Sequence, residues 1–136
     1  KLTNKKEVIC WGTGKPLREF LYIEDFAEAC FYSLNNWSPK EQSHISEING
    51  KIINWLNVGS GYEISIHNLA HKISKIVGFK GKILWDKKKP DGTPRKKLNC
   101  NRINKLGWFA KTDIDQGIMK TYESFKHEMK NNLIRI

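Results

Sequence analysis

From Ile52 to Val58 the chain is almost continuously apolar, and the run breaks at Gly59-Ser-Gly61. Ser65 then opens a stretch in which Ile66, Leu69, Ala70, Ile73, Ile76 and Val77 recur at helical spacing, and Gly78 stands at the expected stop. Unbroken apolarity over seven residues predicts a strand buried on both faces. A serine cap and a terminal glycine predict the helix that follows. A strand, a glycine turn and a helix in succession make a βα unit, which restricts the chain to the α/β class.

The rest of the sequence fits that class. Glu7 to Trp11 reads as a short strand ending at Gly12-Thr-Gly14, and Arg18 to Ile23 as a second, mostly apolar strand. Asp25 is placed to cap a helix from Phe26 to about Asn36, with Phe26, Ala29, Cys30 and Leu34 on one face. Trp37 to Lys51 holds Ser, Pro, Asn and Gly and reads as an exposed loop. Lys82 to Trp85 is a further strand, followed by a lysine-rich loop from Asp86 to Pro94. A short helix from Asn101 to Leu106 stops at Gly107. Asp113 and Gln116 form a capping box for a last helix striped by Ile114, Ile118, Tyr122, Phe125 and Met129.

Composition narrows the setting. The chain has 136 residues, 39% hydrophobic and 28% charged, which suits one globular domain. It has no apolar run long enough to span a bilayer, and its first ten residues do not resemble a secretory leader. Cys10, Cys30 and Cys100 are odd in number, far apart and without metal spacing, so a reducing, cytoplasmic setting is expected. The net charge is +10, and the stretch from Lys72 to Lys111 carries thirteen Lys and Arg against only Asp86 and Asp91. Such a block favours an anionic partner: nucleic acid, a membrane surface or a phosphate-bearing small molecule. No nucleic-acid-binding motif accompanies it.

Several motifs carry no chemistry. Tyr122 and Lys126 match Tyr-x-x-x-Lys, but on the apolar stripe of a terminal helix. Gly12-Thr-Gly14 and Gly59-Ser-Gly61 lack the third glycine of the dinucleotide fingerprint, since Leu17 and Ile64 stand there. Both read as turns. His44, His67, His71 and His127 have no ligand spacing and read as surface residues. The chemically suggestive residue is Arg18, which sits between Leu17 and Phe20 just after a glycine turn and calls for an anion.

Four motifs occur in order: Trp11-Gly-Thr-Gly-Lys-Pro-Leu-Arg-Glu-Phe20, Leu56-Asn-Val-Gly-Ser-Gly61, Lys89-Pro-Asp-Gly-Thr-Pro-Arg-Lys96 and Leu106-Gly-Trp108. In this the chain resembles the C-terminal portion of the GDP-L-fucose synthase family, extended short-chain dehydrogenase/reductases that act on nucleotide sugars. The resemblance covers nearly the whole chain, least in the loop after Trp37. It implies the fold of a Rossmann-type enzyme's small substrate-binding α/β subdomain, residues 1–136, plus one strand, 52–58, that joins the main sheet. It implies an NADP-dependent epimerase-reductase that converts GDP-4-keto-6-deoxy-mannose to GDP-L-fucose, a cytoplasmic homodimer. The family's cofactor loop and catalytic Ser, Tyr, Lys, Cys and His lie upstream of the matched region. No catalytic, cofactor-binding or metal residue is therefore expected in this chain, and by itself it is expected to be inactive.

What the resemblance assigns here is substrate binding. Arg18 pairs with the nucleotide diphosphate. Trp11 packs on the sugar. Asp91 accepts hydrogen bonds from ribose hydroxyls, and Lys89 and Arg95 flank it toward phosphate or guanine. Asn57 and Trp108 are expected to be structural. The generic motifs also suit a GDP-mannose dehydratase or a UDP-sugar epimerase, and the basic block alone suits a nucleic-acid-binding module.

Overall fold

The computed structural model describes residues 4–41 and 47–134. The chain divides into two compact units. The first takes the chain up to Arg18, Ile64–Lys96 and the chain from Asp113; the second takes Glu19–Glu63 and Lys97–Thr112.

The first unit is built on a two-stranded and a three-stranded sheet and two helices. Strand β1 (Glu7–Trp11) pairs in parallel with β6 (Lys82–Asp86), placing Glu7 opposite Lys82 and Trp11 opposite Asp86. Strand β2 (Leu17–Glu19) lies between β5 (Glu63–Ser65) and β7 (Arg95–Lys96); its pairing with β7 is parallel, with Leu17 opposite Arg95. Helix α2 (Ile66–Val77) starts where the sequence places it: Ser65 Oγ accepts from the Asn68 amide at 3.1 Å, and Gly78 closes it at φ 66°. Helix α4 (Ile114–Lys130) is capped by Asp113, whose Oδ1 accepts from the Gln116 amide at 2.9 Å. α2 packs against α4, and Lys72 Nζ on α2 donates to both oxygens of Asp115 on α4 at 2.6 and 2.8 Å.

The second unit has its own small core. Helix α1 (Ile23–Asn36) contributes Ala29, helix α3 (Asn101–Lys105) contributes Ile103, and Cys100 and Trp108 complete the buried cluster. Leu21, Tyr32, Leu56, Val58 and Ala110 pack around it. Asn57 Nδ2 donates to the Asn99 carbonyl at 3.2 Å, and Trp108 is buried at 3% exposure.

Three sequence expectations change. The second strand ends at Glu19, because β7 offers only two residues to pair with. Helix α1 accordingly starts earlier, at Ile23, and its N-cap residue Tyr22 makes no side-chain capping bond to the helix. Asp25 therefore lies inside the first turn, 5% exposed, and its carboxylate accepts from the Lys111 and Thr112 amides and the Thr112 hydroxyl. The expected loop after Trp37 contains a hairpin, β3 (Glu47–Ile48) against β4 (Lys51–Ile52), turned by Asn49 and Gly50 at φ 50° and 74°. An Asn-Gly pair in the left-handed region is the turn that suits a two-residue hairpin. The 52–58 run is not a strand beyond Ile52; Leu56 and Val58 are apolar because they pack on the core, while Trp55 lies half-exposed under Arg102, 4.5 Å from ring to guanidinium.

Candidate functional site

Trp11, Lys89 and Asp91 lie at the carboxyl end of β1 and β6, where the glycine turn meets the 86–94 loop. The ladder closes with the Gly12 amide donating to the Asp86 carbonyl at 3.0 Å. From Asp86 the 86–94 loop turns back on itself, with the Lys88 amide on Asp86 Oδ1 and the Lys89 amide on the Asp86 carbonyl, both at 3.1 Å. It returns to the glycine turn through Asp91. The Thr13 amide donates to Asp91 Oδ1 at 2.7 Å, and the Thr13 hydroxyl donates to Oδ2 at 2.6 Å. The Lys15 amide in turn donates to the Thr13 hydroxyl at 3.2 Å.

This closure needs Gly12. Its φ is 77°, and a Cβ there would overlap Asp91 Oδ1. At Gly14, whose φ is 74°, a Cβ would meet the Trp85 ring at 2.6 Å. The Thr13 hydroxyl and amide hold the Asp91 carboxyl below the ordinary carboxylate range; the Lys15 charge adds to this, against partial desolvation.

Around the closed loop stand the cations. Trp11 is 72% exposed, so its indole is a surface platform and not a core aromatic. Lys89 Nζ lies 5.3 Å from the Trp11 ring centroid, within cation–π range. Arg18, in β2, donates from Nη1 to its neighbour Leu17's carbonyl at 2.6 Å. Its other terminal nitrogen, Nη2, lies against Gly92, where a Cβ would stand 3.1 Å away. Among the described residues no carboxylate pairs with Arg18. Its neighbour Glu19 is committed elsewhere, accepting from the Gly61 amide at 2.6 Å and the Leu98 amide at 2.9 Å. Arg95 lies in β7 opposite Leu17, exposed. The structure thus joins Trp11 to Lys89 and sets Arg18 beside the Asp91-Gly92 turn.

The residue that sequence reading missed is Thr13. Its signal was present, as a hydroxyl between two glycines that must take positive φ, but its partner lies 78 residues away.

Lys126 Nζ sits over the Tyr122 ring at 5.0 Å and pairs with Glu123 at 2.7 Å. His67, His71 and His127 are exposed; His67 lies 4.5 Å from His71 and stacks on Trp85 at 5.5 Å, and His44 lies outside the described residues. Among the described residues no cluster of three or more ligating side chains exists and no helix is long and apolar enough to cross a membrane. Burial pushes the Cys100 thiol up, away from reactivity.

The two glycine turns do not fit a dinucleotide. A pyrophosphate needs free amides and no negative charge nearby. Gly12 faces the Asp91 carboxylate, and a Cβ on Gly59 would meet Glu19 Oε1 at 2.5 Å.

Comparison with known proteins gives the following relatives. A model of the NAD dependent epimerase/dehydratase family matches residues 1–49. A GDP-L-fucose synthase from Sinorhizobium fredii is 45% identical over 122 residues, 90% of this chain and 35% of that protein. A GDP-6-OMe-4-keto-L-xylo-heptose reductase from C. jejuni superposes with a TM-score of 0.81 at 32% identity, covering 90% of this chain and 34% of that one. A GDP-mannoheptose C4 reductase from Campylobacter jejuni, solved with NADP bound, gives a TM-score of 0.72 at 32% identity over 89% of this chain and 35% of that one. The chain spans about a third of the length of the curated relatives it matches. The α/β fold is that of Rossmann-type extended short-chain dehydrogenases.

Proposed function

We propose that this chain, a homologue of about a third of GDP-L-fucose synthase, supplies the part of an epimerase-reductase that grips a GDP-linked 4-keto sugar. The observation that carries the reading is Arg18: a half-buried guanidinium with no acidic partner among the described residues, beside a loop that presents Lys89. Two phosphate oxygens can take the bidentate geometry that a guanidinium offers, and the ammonium of Lys89 adds a second positive charge. Trp11 supplies an exposed indole on which a sugar ring can pack. Asp91 uses one lone pair on each oxygen for Thr13 and keeps capacity for a ribose hydroxyl. Arg95 lies close enough in sequence to Asp91 to extend the cationic rim.

In this reading NADP, which supplies the hydride, is held by residues outside this chain, and no proton-transfer step is assigned to the described residues. The 4-keto group acidifies its neighbouring C–H bonds, so positioning the sugar is what this part contributes to the inversions. Assembly as a homodimer belongs to the same reading.

The test is calorimetric titration of GDP and of UDP into this chain joined to the relatives' remaining two thirds. GDP binding tighter than UDP binding is expected, with Arg18→Ala weakening GDP at least tenfold, the scale of a lost charge-assisted pair. Equal GDP affinity in Arg18→Ala overturns the role of Arg18. A preference for UDP moves the reading to a UDP-sugar epimerase.

A further inference from the structure

We propose that Thr13 and Asp91 are a positioning pair: a two-bond clamp that closes the 86–94 loop over the Gly12 turn and so holds Lys89 and Arg18 as one anion-binding edge. Three observations on different residues converge on it. Thr13 meets Asp91 with both of its donors, one on each carboxylate oxygen, at 2.7 and 2.6 Å. Gly12 leaves open the space that Asp91 Oδ1 fills, so the turn is shaped around the carboxylate and not merely near it. Gly92, the residue after the clamped aspartate, rests against Arg18 Nη2, and Lys89, two residues before it, lies over Trp11.

The consequence is mechanical. Residues 87–97 are exposed and three lysines follow one another at 87–89, so repulsion among them favours an open loop. The clamp opposes that repulsion at the one acidic residue between Lys87 and Lys97. Released, the loop would carry Lys89 off Trp11 and Gly92 off Arg18, and the guanidinium would lose the surface that fixes its free edge. The identity of the ligand rests on the GDP-sugar reading; the order of the loop does not.

Two measurements separate these. Trypsin cleavage after Lys87 and Lys88 reports loop opening, with Lys89 protected by Pro90. Thr13→Val removes the hydroxyl and keeps the side-chain shape. It should speed cleavage about tenfold, the scale of one hydrogen bond to a charged acceptor, and Thr13→Ser should restore the parent rate. Asp91→Asn, which keeps the shape of the carboxylate, should speed cleavage in the same direction and serves if Thr13→Val does not fold. In the full-length protein GDP affinity should fall with Thr13→Val and recover with Thr13→Ser. Unchanged cleavage in Thr13→Val and Asp91→Asn overturns the clamp. Faster cleavage with unchanged GDP affinity overturns the positioning role. A parent protein that binds no GDP overturns the functional reading, and the cleavage arm still decides the clamp.

Discussion

Replacing Asp25 separates two roles by magnitude. As the helix cap that its sequence position suggests, Asp25 would be worth about 1 kcal/mol, and Asn would serve as well as Asp. The structure gives it other work. Its Oδ2 accepts from the Lys111 and Thr112 amides at 3.0 and 2.8 Å, and its Oδ1 accepts from the Thr112 hydroxyl at 2.9 Å, all at 5% exposure. Asp25→Ala strands three donors, at about 1–3 kcal/mol for each donor that stays buried. Some regain water, so the expected loss is about 3–5 kcal/mol. Asp25→Asn keeps an oxygen for the two amides and turns its NH2 to the Thr112 hydroxyl, which can accept; the expected loss is about 1 kcal/mol, from charge alone. Urea denaturation at constant slope measures both. By heat, the Ala variant should melt about 10 °C lower. An Asp25→Ala loss near 1 kcal/mol, with no loss for Asp25→Asn, would refute the strut and restore the cap.

Three further outcomes follow from the geometry. Gly12 and Gly61 share nearly the same φ, 77° and 76°, but nothing lies within 4 Å of a Cβ at Gly61. Gly61→Ala should cost only the left-handed backbone, about 1–2 kcal/mol, while Gly12→Ala should lose more and open the 86–94 loop to trypsin; equal losses and an intact loop would remove the crowding argument. Asp91 is held below the ordinary carboxylate pKa of about 3.9. Because the folded value is the lower one, the clamp's contribution is present above that pH and fades as pH falls through the lowered value. The Thr13 amide resonance should therefore titrate below pH 3.9, and a midpoint at or above it contradicts the two bonds. Ile103 is fully buried in the second unit's core, so Ile103→Ala should cost about 2–5 kcal/mol and Ile103→Val about 0.5–1.5; a loss under 1 kcal/mol for Ala in urea titration would place the core elsewhere.

What the sequence revealed and what it hid divide by range. Ser65 and Asp113 were legible as caps because each bonds an amide three residues on, and the stops at Gly78 and Gly107 need only their own φ. Trp11, Arg18, Lys89, Asp91 and Arg95 were singled out through ordered motifs; that Lys89 lies over Trp11 and that Arg18 lies beside the turn after Asp91 are added by the structure. Asp25, Glu19 and Thr13 were not, because their partners lie 86, 79 and 78 residues away at Lys111, Leu98 and Asp91. A short acidic side chain near a helix start looks like a cap wherever its carboxylate goes. The 52–58 run misled for a related reason: apolar residues that feed a core, as Leu56 and Val58 do, give the same pattern as a strand buried on both faces.

At least five of the thirteen cations in the block from Lys72 to Lys111 have partners within the chain. Lys72 is bound to Asp115, Lys97 lies 3.9 Å from Glu63, and Lys111 pairs with Glu28. Arg102 and Lys89 lie over Trp55 and Trp11. The block is also divided between the two units after Lys96, so continuity in sequence does not make it one charged face. The proposed GDP site draws on one cation of the block, Lys89, together with Arg18, which lies outside it. That distinction is measurable. A nucleic acid carries condensed counterions, and binding it through many cations would give a steep linear fall of log affinity with log salt, about 0.9 per phosphate contacted. A nucleoside diphosphate has no condensed counterions to release, so its binding should weaken only as screening of two or three charges allows. DNA retained at about 50 mM salt with a steep slope would return the whole block to a functional role; a shallow slope for GDP, with loss on Arg18→Ala, keeps the charge where the clamped loop holds it.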